Sequence, residues 1–261
     1  MSAPGAPPAR RARRLLWTEI LSLPLLLVIW QLLAMLFPHR LFPSPVEVAL
    51  EIGALAGQGQ LLADLGKTLL RAAVGFLVSM VLGTALGLLL GRVPWLDRLF
   101  SGWLVVGLNL PAIIVAIILY IWLGLTEFAL VLAVVLNKTP LVTATIREGV
   151  RSFSRDLEEL ALAFRFGLRR RIRLIYLPQL LPFGLAAART GLSLIWKIVL
   201  VFEVLGSDGG VGYRISVFFQ FFDITGVLAY TTAFILVVLA FEYLVMRPLE
   251  THLLRWRWAP S

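Results

Sequence analysis

Long apolar runs separated by short polar intervals make up most of this chain. A helix needs roughly 20 apolar residues to cross a hydrocarbon core ~30 Å thick, and each long run is near that length. The pattern predicts six membrane-spanning helices, over about 20–37, 65–90, 99–123, 128–146, 177–204 and 224–245. The predicted fold class is therefore all-α and polytopic, with a six-helix domain over 20–247 between an N-terminal arm (1–19) and a tail (248–261).

The interval between the first two runs carries a helix-start signal. Ser44-Pro45-Val46-Glu47 has the form of a capping box with proline at the first helical position, and apolar residues follow at Val46, Leu50 and Ala54. We expect an amphipathic helix over 45–60 that lies at the outer membrane interface instead of spanning it.

Small residues recur every fourth position in the second run, at Gly75, Ser79, Gly83 and Gly87. This spacing places them along one face of a helix. The face is expected to admit a neighbouring helix closely.

Two runs contain residues that break helices. Asn109 and Pro111 interrupt the third run, and Asn137-Lys138-Thr139-Pro140 interrupts the fourth, where the proline removes a backbone hydrogen bond and frees a carbonyl. Helices of this kind are expected to line something polar. Two intervals read as tight turns, an inner one at 91–98 and an outer one at 207–212.

The interval 156–182 is a charged island between apolar runs. Asp156 is predicted to cap a helix over 156–167, with Glu158 and Glu159 in its first turn and Gly167 at its end. One apolar stripe is expected on it, formed by Leu157, Leu160, Ala161 and Phe164. Because so short a helix is marginal in water, another surface should cover the stripe. Lipid headgroups, attracted by the arginines that follow, and a partner protein both remain open from these residues alone.

Composition supports the membrane class and excludes others. The 261 residues are 59% hydrophobic and 15% charged, against about a quarter charged in soluble domains. The net charge of +9 comes from basic residues between the apolar runs, which is a topology pattern and not one of nucleic-acid binding. With no cysteine and two histidines, thiol catalysis is excluded and a histidine metal site is improbable. No metal site and no catalytic residue is predicted.

Lysine and arginine are distributed unevenly about the membrane. Of 24 such residues, 17 fall in the arm, the 91–98 turn, the interval 147–173 and the tail counted from residue 247, whereas 4 lie on the opposite side, two of them at the outer end of the second span. This bias places both termini and the island in the cytoplasm.

Polar residues inside the spans are the candidates for a translocation pathway, because charge at membrane depth is costly and usually faces a bundle interior. They are Asn109, Lys138, Arg189, Lys197 and Glu203. Structural roles stay open for each. Lys197 could pair with Glu203 or reach an interface, Arg189 could satisfy carbonyls near Pro178 and Pro182, and Asn109 could join two helices.

The island also resembles a known motif. Glu159-Leu160-Ala161, Gly167 and Ile175-Tyr176-Leu177-Pro178 resemble the EAA loop of ABC importer permeases. Counted from Ile175, Glu159 and Ala161 lie in register, whereas Arg165 occupies the position of the motif glycine. Further segments resemble the nitrate, sulfonate and taurine permeases, namely 42–45, 110–112, 122–124, 191–203 and 209–213.

This resemblance implies the type I importer permease fold in a bacterial inner membrane and a transport role instead of an enzymatic one. Two permease copies, or one with a paralogue, would form a pathway fed by an extracytoplasmic substrate-binding protein. Two ATPase subunits would each accept the island helix through Asp156, Glu158, Glu159, Leu160, Ala161, Phe164, Arg165 and Gly167. The chain has no phosphate-binding loop, so ATP and Mg would be held by those subunits and no cofactor by this chain.

The solute and the class both have alternatives. A basic lining would suit an anion such as nitrate, a sulfonate, taurine or bicarbonate, but related permeases also carry neutral pyrimidine or thiamine precursors. A polytopic membrane enzyme would need clustered carboxylates and histidines, and the acidic residues here are scattered. A stand-alone carrier would make the island helix dispensable.

Overall fold

The computed structural model describes residues 24–253 apart from Pro38 and Arg40, and within that part of the chain all regular structure is helical. The predicted arm, the start of the first span and the residues after 253 lie outside the described part. The α-helices are α1 (Pro24–Leu36), α2 (Pro45–Gly57), α3 (Gln60–Arg92), α4 (Pro94–Asn109), α5 (Ala112–Leu123), α6 (Glu127–Arg151), α7 (Arg155–Ala163), α8 (Leu168–Arg171), α9 (Leu177–Gly206), α10 (Val211–Gln220), α11 (Ile224–Phe241) and α12 (Arg247–Leu253). Single π-helical turns at Ile172–Tyr176 and Glu242–Met246 join α8 to α9 and α11 to α12.

Four continuous helical stretches are long and apolar enough to cross a membrane. They are α3, α6, the α8–α9 stretch and the α11–α12 stretch. Helices α4 and α5, of 16 and 12 residues, are each too short and qualify as a fifth span only together, with a bend of 96° between them. Of the first predicted span, the structure describes the 13-residue apolar helix α1. The residues of that span before Pro24 are not described.

The effects of two prolines differ from the prediction. Pro111 does more than interrupt the third span, since α4 ends at Asn109 and the chain turns sharply before α5. Pro140, in contrast, lies inside an unbroken α6, so the predicted interruption at 137–140 is wrong. The predicted 91–98 turn is present but much shorter than expected, because Pro94 starts α4 at once and leaves only Val93 between the two helices.

The small residues of α3 confirm the predicted close approach, and the helix they meet is α6. A Cβ added at Gly75, Gly83 or Gly87 would lie 2.5–2.7 Å from side-chain atoms of Val134, Val142 and Ile146 respectively. Equal steps of eight and four residues on both helices show that α3 and α6 run parallel. The α4–α5 pair therefore carries the chain back between them.

Helix α9 runs antiparallel to α3 and α6 and completes the central bundle. Its last turns bring Glu203 to Arg71 in the first half of α3, and its first turns bring Phe183 against Gly149 near the end of α6. The bundle thus has two ends, which are named here the α2 end and the α7 end. The larger apolar core lies toward the α2 end and includes the fully buried Leu130 and Tyr230.

Helix α2 begins as predicted. The Ser44 side chain accepts a hydrogen bond from the Glu47 amide at 3.2 Å, and Glu47 Oε2 accepts one from the Ser44 amide at 2.7 Å. Its buried face, however, is formed by Val48 and Leu55, which pack in the core near α11, whereas the predicted stripe of Val46, Leu50 and Ala54 is exposed.

Candidate functional site

The island helix is shorter than predicted and is capped by a different residue. Helix α7 spans Arg155–Ala163, and its N-cap position is held by Ser154, whose side chain makes no capping hydrogen bond. The prediction that Asp156 is the cap is therefore wrong, because Asp156 is already the second helical residue. Gly167 does not end the helix either. With φ −62° it holds the N-cap position of α8.

The C-terminal end of α7 is closed by two backbone bonds. The Phe166 amide donates to the Ala161 carbonyl at 2.8 Å, and the Arg165 amide donates to the Leu162 carbonyl at 3.0 Å. This pair of bonds is the Schellman arrangement, which requires a left-handed residue just after the helix. Arg165 is that residue, with φ +50°. The helix stop thus falls where the motif register expects glycine, although arginine stands there.

Helix α7 turns most of its apolar side chains outward. Leu157, Leu160 and Phe164 are 40%, 45% and 71% exposed, whereas Ala161 is buried at 1%. The predicted stripe is therefore divided, since Ala161 packs against the rest of the chain and the three larger residues are uncovered. Asp156 and Glu159 are exposed beside them. An apolar face with acidic neighbours at its start is suited to a complementary surface on another molecule.

Tyr176 ties α7 to the beginning of α9. Its hydroxyl donates to Glu158 at 3.1 Å and accepts from Arg171 at 2.9 Å, and its ring stacks on Phe153 with a centroid distance of 5.3 Å. Arg92, the last residue of α3, lies over the same ring at 5.0 Å. Glu158 thus anchors α7 to the beginning of α9. A movement of α7 would act on α3 and α9 together through this ring.

An arginine-rich surface follows α7. Arg165, Arg169, Arg170 and Arg173 are exposed, and Arg170 lies over the Phe166 ring at 4.2 Å. A cavity of about 680 Å³ opens here, lined by Gly167, Leu168, Arg169, Arg170, Arg173 and Leu174. This end of the molecule therefore presents acidic, apolar and basic zones in sequence.

The predicted pathway residues are not gathered at one point. Lys138 is buried among α3, α6 and α9, with its Cε only 3.1 Å from where a Cβ of Gly191 would stand. Its ammonium has no hydrogen-bond partner among the described residues. Asn109 is exposed at the bend between α4 and α5, and it donates to the Val105 carbonyl of its own helix at 2.8 Å.

Arg189 and Lys197 both project from α9 but differ in their partners. Arg189 pairs with Glu242 at 3.3 Å and with Glu250 at 2.9 Å, so acids of the α11–α12 stretch satisfy it, and not the carbonyls near Pro178 and Pro182. Lys197 is exposed and makes no ion pair with any described residue. Among the predicted cations, Lys197 is the one that is exposed and has no ion-pair partner among the described residues.

Glu203 belongs to a buried network and not to an open face. Its side chain is fully buried and accepts hydrogen bonds from Arg71 at 2.8 Å, from the Thr68 hydroxyl at 2.9 Å and from the Gly212 amide at 2.9 Å. A pairing with Lys197 is therefore wrong. Arg71 also contacts the carboxylate of Glu127 and donates to the Gly209 carbonyl at 2.6 Å, and so joins α3, α6, α9 and the 207–210 loop.

A second ion pair extends this network at the α2 end. Asp64 accepts from Arg214 at 2.8 Å, from the Tyr230 hydroxyl at 3.0 Å and from the Gly210 amide at 3.0 Å. The loop that reads as a simple turn is therefore held by buried charges. Sequence reasoning missed Asp64 and Arg71, although Asp64, Thr68 and Arg71 follow helical spacing on one face of an apolar helix, which was the available signal.

Comparisons with known proteins agree on one family. Residues 79–247 match the model of the family described as binding-protein-dependent transport system inner membrane component. The chain is 30% identical over 244 residues to a putative aliphatic sulfonates transport permease of Bacillus subtilis (strain 168), covering 92% of this chain and 88% of the relative. It is also 30% identical to a formylaminopyrimidine transport permease of Halalkalibacterium halodurans, covering 89% and 93% of the two chains.

A solved structure supports the fold. A chain of the MetNI methionine ABC transporter, in an inward facing conformation, aligns with a TM-score of 0.62 at 18% identity, over 72% of this chain and 95% of that one. At this identity the likeness concerns the fold alone.

Proposed function

Since the chain belongs to the binding-protein-dependent inner membrane component family, and within it to the nitrate, sulfonate and taurine group of ABC importer permeases, we propose that it forms the pathway by which a small organic anion of the sulfonate class enters the cell. The chain is a transport subunit and not an enzyme, and it works with an ATPase and a substrate-binding protein. The single observation that carries the anionic solute is the similarity to the sulfonate permease over 92% of the chain.

The predicted pathway cations of the spanning helices, Lys138, Arg189 and Lys197, are consistent with an anionic solute. Lys197 is an exposed cation at the depth of a spanning helix, where an unpaired charge is costly unless it meets water or a counter-ion. A passing anion would supply that counter-ion. Lys138 lies on α6 behind Gly191 of α9, so a shift of α9 against α6 would expose Lys138 to the same translocation pathway.

The second candidate solute is a neutral pyrimidine, because one relative of equal identity is a formylaminopyrimidine permease. A neutral solute would leave the ammonium of Lys197 without a partner in transit. Uptake of a sulfonate and of a formylaminopyrimidine, each with its binding protein, separates the two solutes.

Helix α7 is proposed as the coupling helix that enters a groove on the ATPase. Leu157, Leu160 and Phe164 would fill the groove floor, because no described residue of this chain covers them. The link from Glu158 through Tyr176 would then carry ATPase closure to α9 and to the end of α3. Two ATPase subunits and two permease copies, the second identical or paralogous, complete the proposed assembly.

The proposed orientation puts the α7 end and both termini in the cytoplasm of a bacterial cell and the α2 end outside. The concentration of arginines at the α7 end supports it, because basic loops are retained on the cytoplasmic side. The network of Arg71 and Glu203 would then lie where a binding protein docks.

The test is copurification of the chain with its ATPase from membranes. Leu160→Asp places a charge in the exposed apolar face of α7, and we expect at least a tenfold loss of bound ATPase and of ATP-driven uptake. Leu50→Asp, at a site 70% exposed on α2 at the opposite end, is the matched control and should keep the ATPase. Undiminished uptake by Leu160→Asp would favour a stand-alone carrier.

A further inference from the structure

Arg165 stands in a conformation that the backbone alone would assign to glycine. Its φ of +50° closes α7 through the Phe166 and Arg165 amide bonds described above. An L-residue in this region brings its Cβ close to the following carbonyl, and glycine avoids this contact. The helix end therefore gives no reason for an arginine, and a residue kept in a strained conformation points to a role for its side chain.

The guanidinium of Arg165 is exposed and makes no ion pair or hydrogen bond with any described residue. Arg165 directly follows Phe164, the 71% exposed C-cap residue of α7, at the boundary between the apolar and basic zones. The exposed carboxylate of Asp156 lies at the other end of the helix, and that of Glu159 lies at its middle. Negative charge therefore precedes positive charge along the docking surface. This order fixes the direction in which a complementary groove can receive the helix.

We propose that Arg165 is a recognition residue for the ATPase, and that its guanidinium pairs with a carboxylate at the end of the groove that receives the C-terminal end of α7. The inference rests on the proposed coupling role of α7. Arginine suits this task because its planar fork binds a carboxylate through two parallel hydrogen bonds. The left-handed turn fixes the point at which this side chain leaves the backbone, directly after the Phe164 anchor.

Anionic lipid headgroups are the other surface that an arginine cluster could meet. Diffuse attraction to headgroups needs charge but no exact geometry, and Arg169, Arg170 and Arg173 supply that charge without a left-handed residue. The carboxylates of Asp156 and Glu159 on the same helix would also be repelled by an anionic surface. A protein groove accounts for both the strain and the mixed charge.

The experiment places the full-length wild-type chain and its Arg165→Gly variant in nanodiscs of zwitterionic lipid and titrates each with the ATPase. Arg165→Gly should slow hydrogen exchange at the Phe166 amide by roughly fivefold, because the helix end loses its strain. The same variant should bind the ATPase about tenfold more weakly and with a smaller salt dependence. Arg165→Lys should keep part of the affinity, and Arg169→Ala should change it by less than about threefold.

A better-formed helix that binds worse separates recognition from a structural role, which would move both readouts in the same direction. Equal or tighter ATPase binding by Arg165→Gly overturns the inference. So does a loss of affinity that appears only when anionic lipid replaces part of the nanodisc, since it would assign Arg165 to the membrane. If Leu160→Asp abolishes ATPase binding and Arg165→Gly does not, the coupling role of α7 stands and only the role of Arg165 falls.

Discussion

The parallel contact between α3 and α6 allows a pair of glycine substitutions with opposite outcomes. At Gly87 an added Cβ would lie 2.7 Å from Ile146 Cβ and 2.8 Å from the Thr143 carbonyl oxygen, well short of the ~3.5–4.0 Å at which carbon atoms pack. At Gly66, in the same helix, an added Cβ would meet nothing within 4 Å. The same change, Gly→Ala, therefore tests packing at one site and backbone preference at the other.

The magnitudes follow from two terms. Alanine stabilises a helix interior by about 1 kcal/mol relative to glycine, and this gain applies at both sites. At Gly87 it is offset by overpacking, which costs about 1–3 kcal/mol, and the obstacle includes the α6 backbone, which cannot rotate away. We expect Gly66→Ala to raise the free energy of unfolding by about 1 kcal/mol and Gly87→Ala to lower it by about 1 kcal/mol.

The assay is thermal unfolding of the purified permease in detergent, with ATP-driven uptake measured in parallel. The two variants should differ in midpoint by about 4–8 °C, with the wild type between them. If Gly87→Ala proves as stable as Gly66→Ala, the helices do not approach at this site as the structure has them. If both variants are destabilised, Gly66 has a packing partner outside this chain.

Three further outcomes are expected. Arg71→Met should lower the free energy of unfolding by about 3–5 kcal/mol, because the buried carboxylate of Glu203 loses its counter-charge, and adding Glu203→Leu should restore much of that stability. Thermal unfolding of the single and double variants checks this, and a double variant as destabilised as Arg71→Met would contradict it. Lys197→Gln should reduce sulfonate uptake several-fold while ATPase binding stays unchanged, and uptake equal to wild type would remove Lys197 from the pathway. Tyr176→Phe loses the hydrogen bonds to Glu158 and Arg171 but keeps the ring, so ATPase binding should persist while uptake per ATP hydrolysed falls about two- to fivefold. An unchanged ratio of uptake to ATP hydrolysis would show that Tyr176 is a purely structural contact.

Local patterns in the sequence predicted most of the helices because local physics decides them. Span length is set by the bilayer, so α3, α6, α9 and α11 lie where the apolar runs predict them. The capping box of α2 is contained within four residues and forms as expected. The small-residue face of α3 is likewise fixed by helical spacing, which needs no knowledge of its neighbour.

Only the tertiary structure decided which groups meet across the chain. Glu203 finds Arg71 across 132 residues, and Arg189 finds Glu242 and Glu250 across 53 and 61, so no local pattern could assign these pairs. The prolines divide in the same way, since Pro111 follows the end of a helix, whereas Pro140 lies inside one with its ring against Gly107 of α4.

The island shows both limits together. Its helix and apolar stripe were readable from the sequence, but the burial of Ala161 and the exposure of Leu160 depend on which face the rest of the chain covers. The left-handed turn at Arg165 was hidden for a further reason. Arginine has no local preference for that conformation. Only the folded helix end, with its two closing hydrogen bonds, reveals that the residue at the motif's glycine position is left-handed.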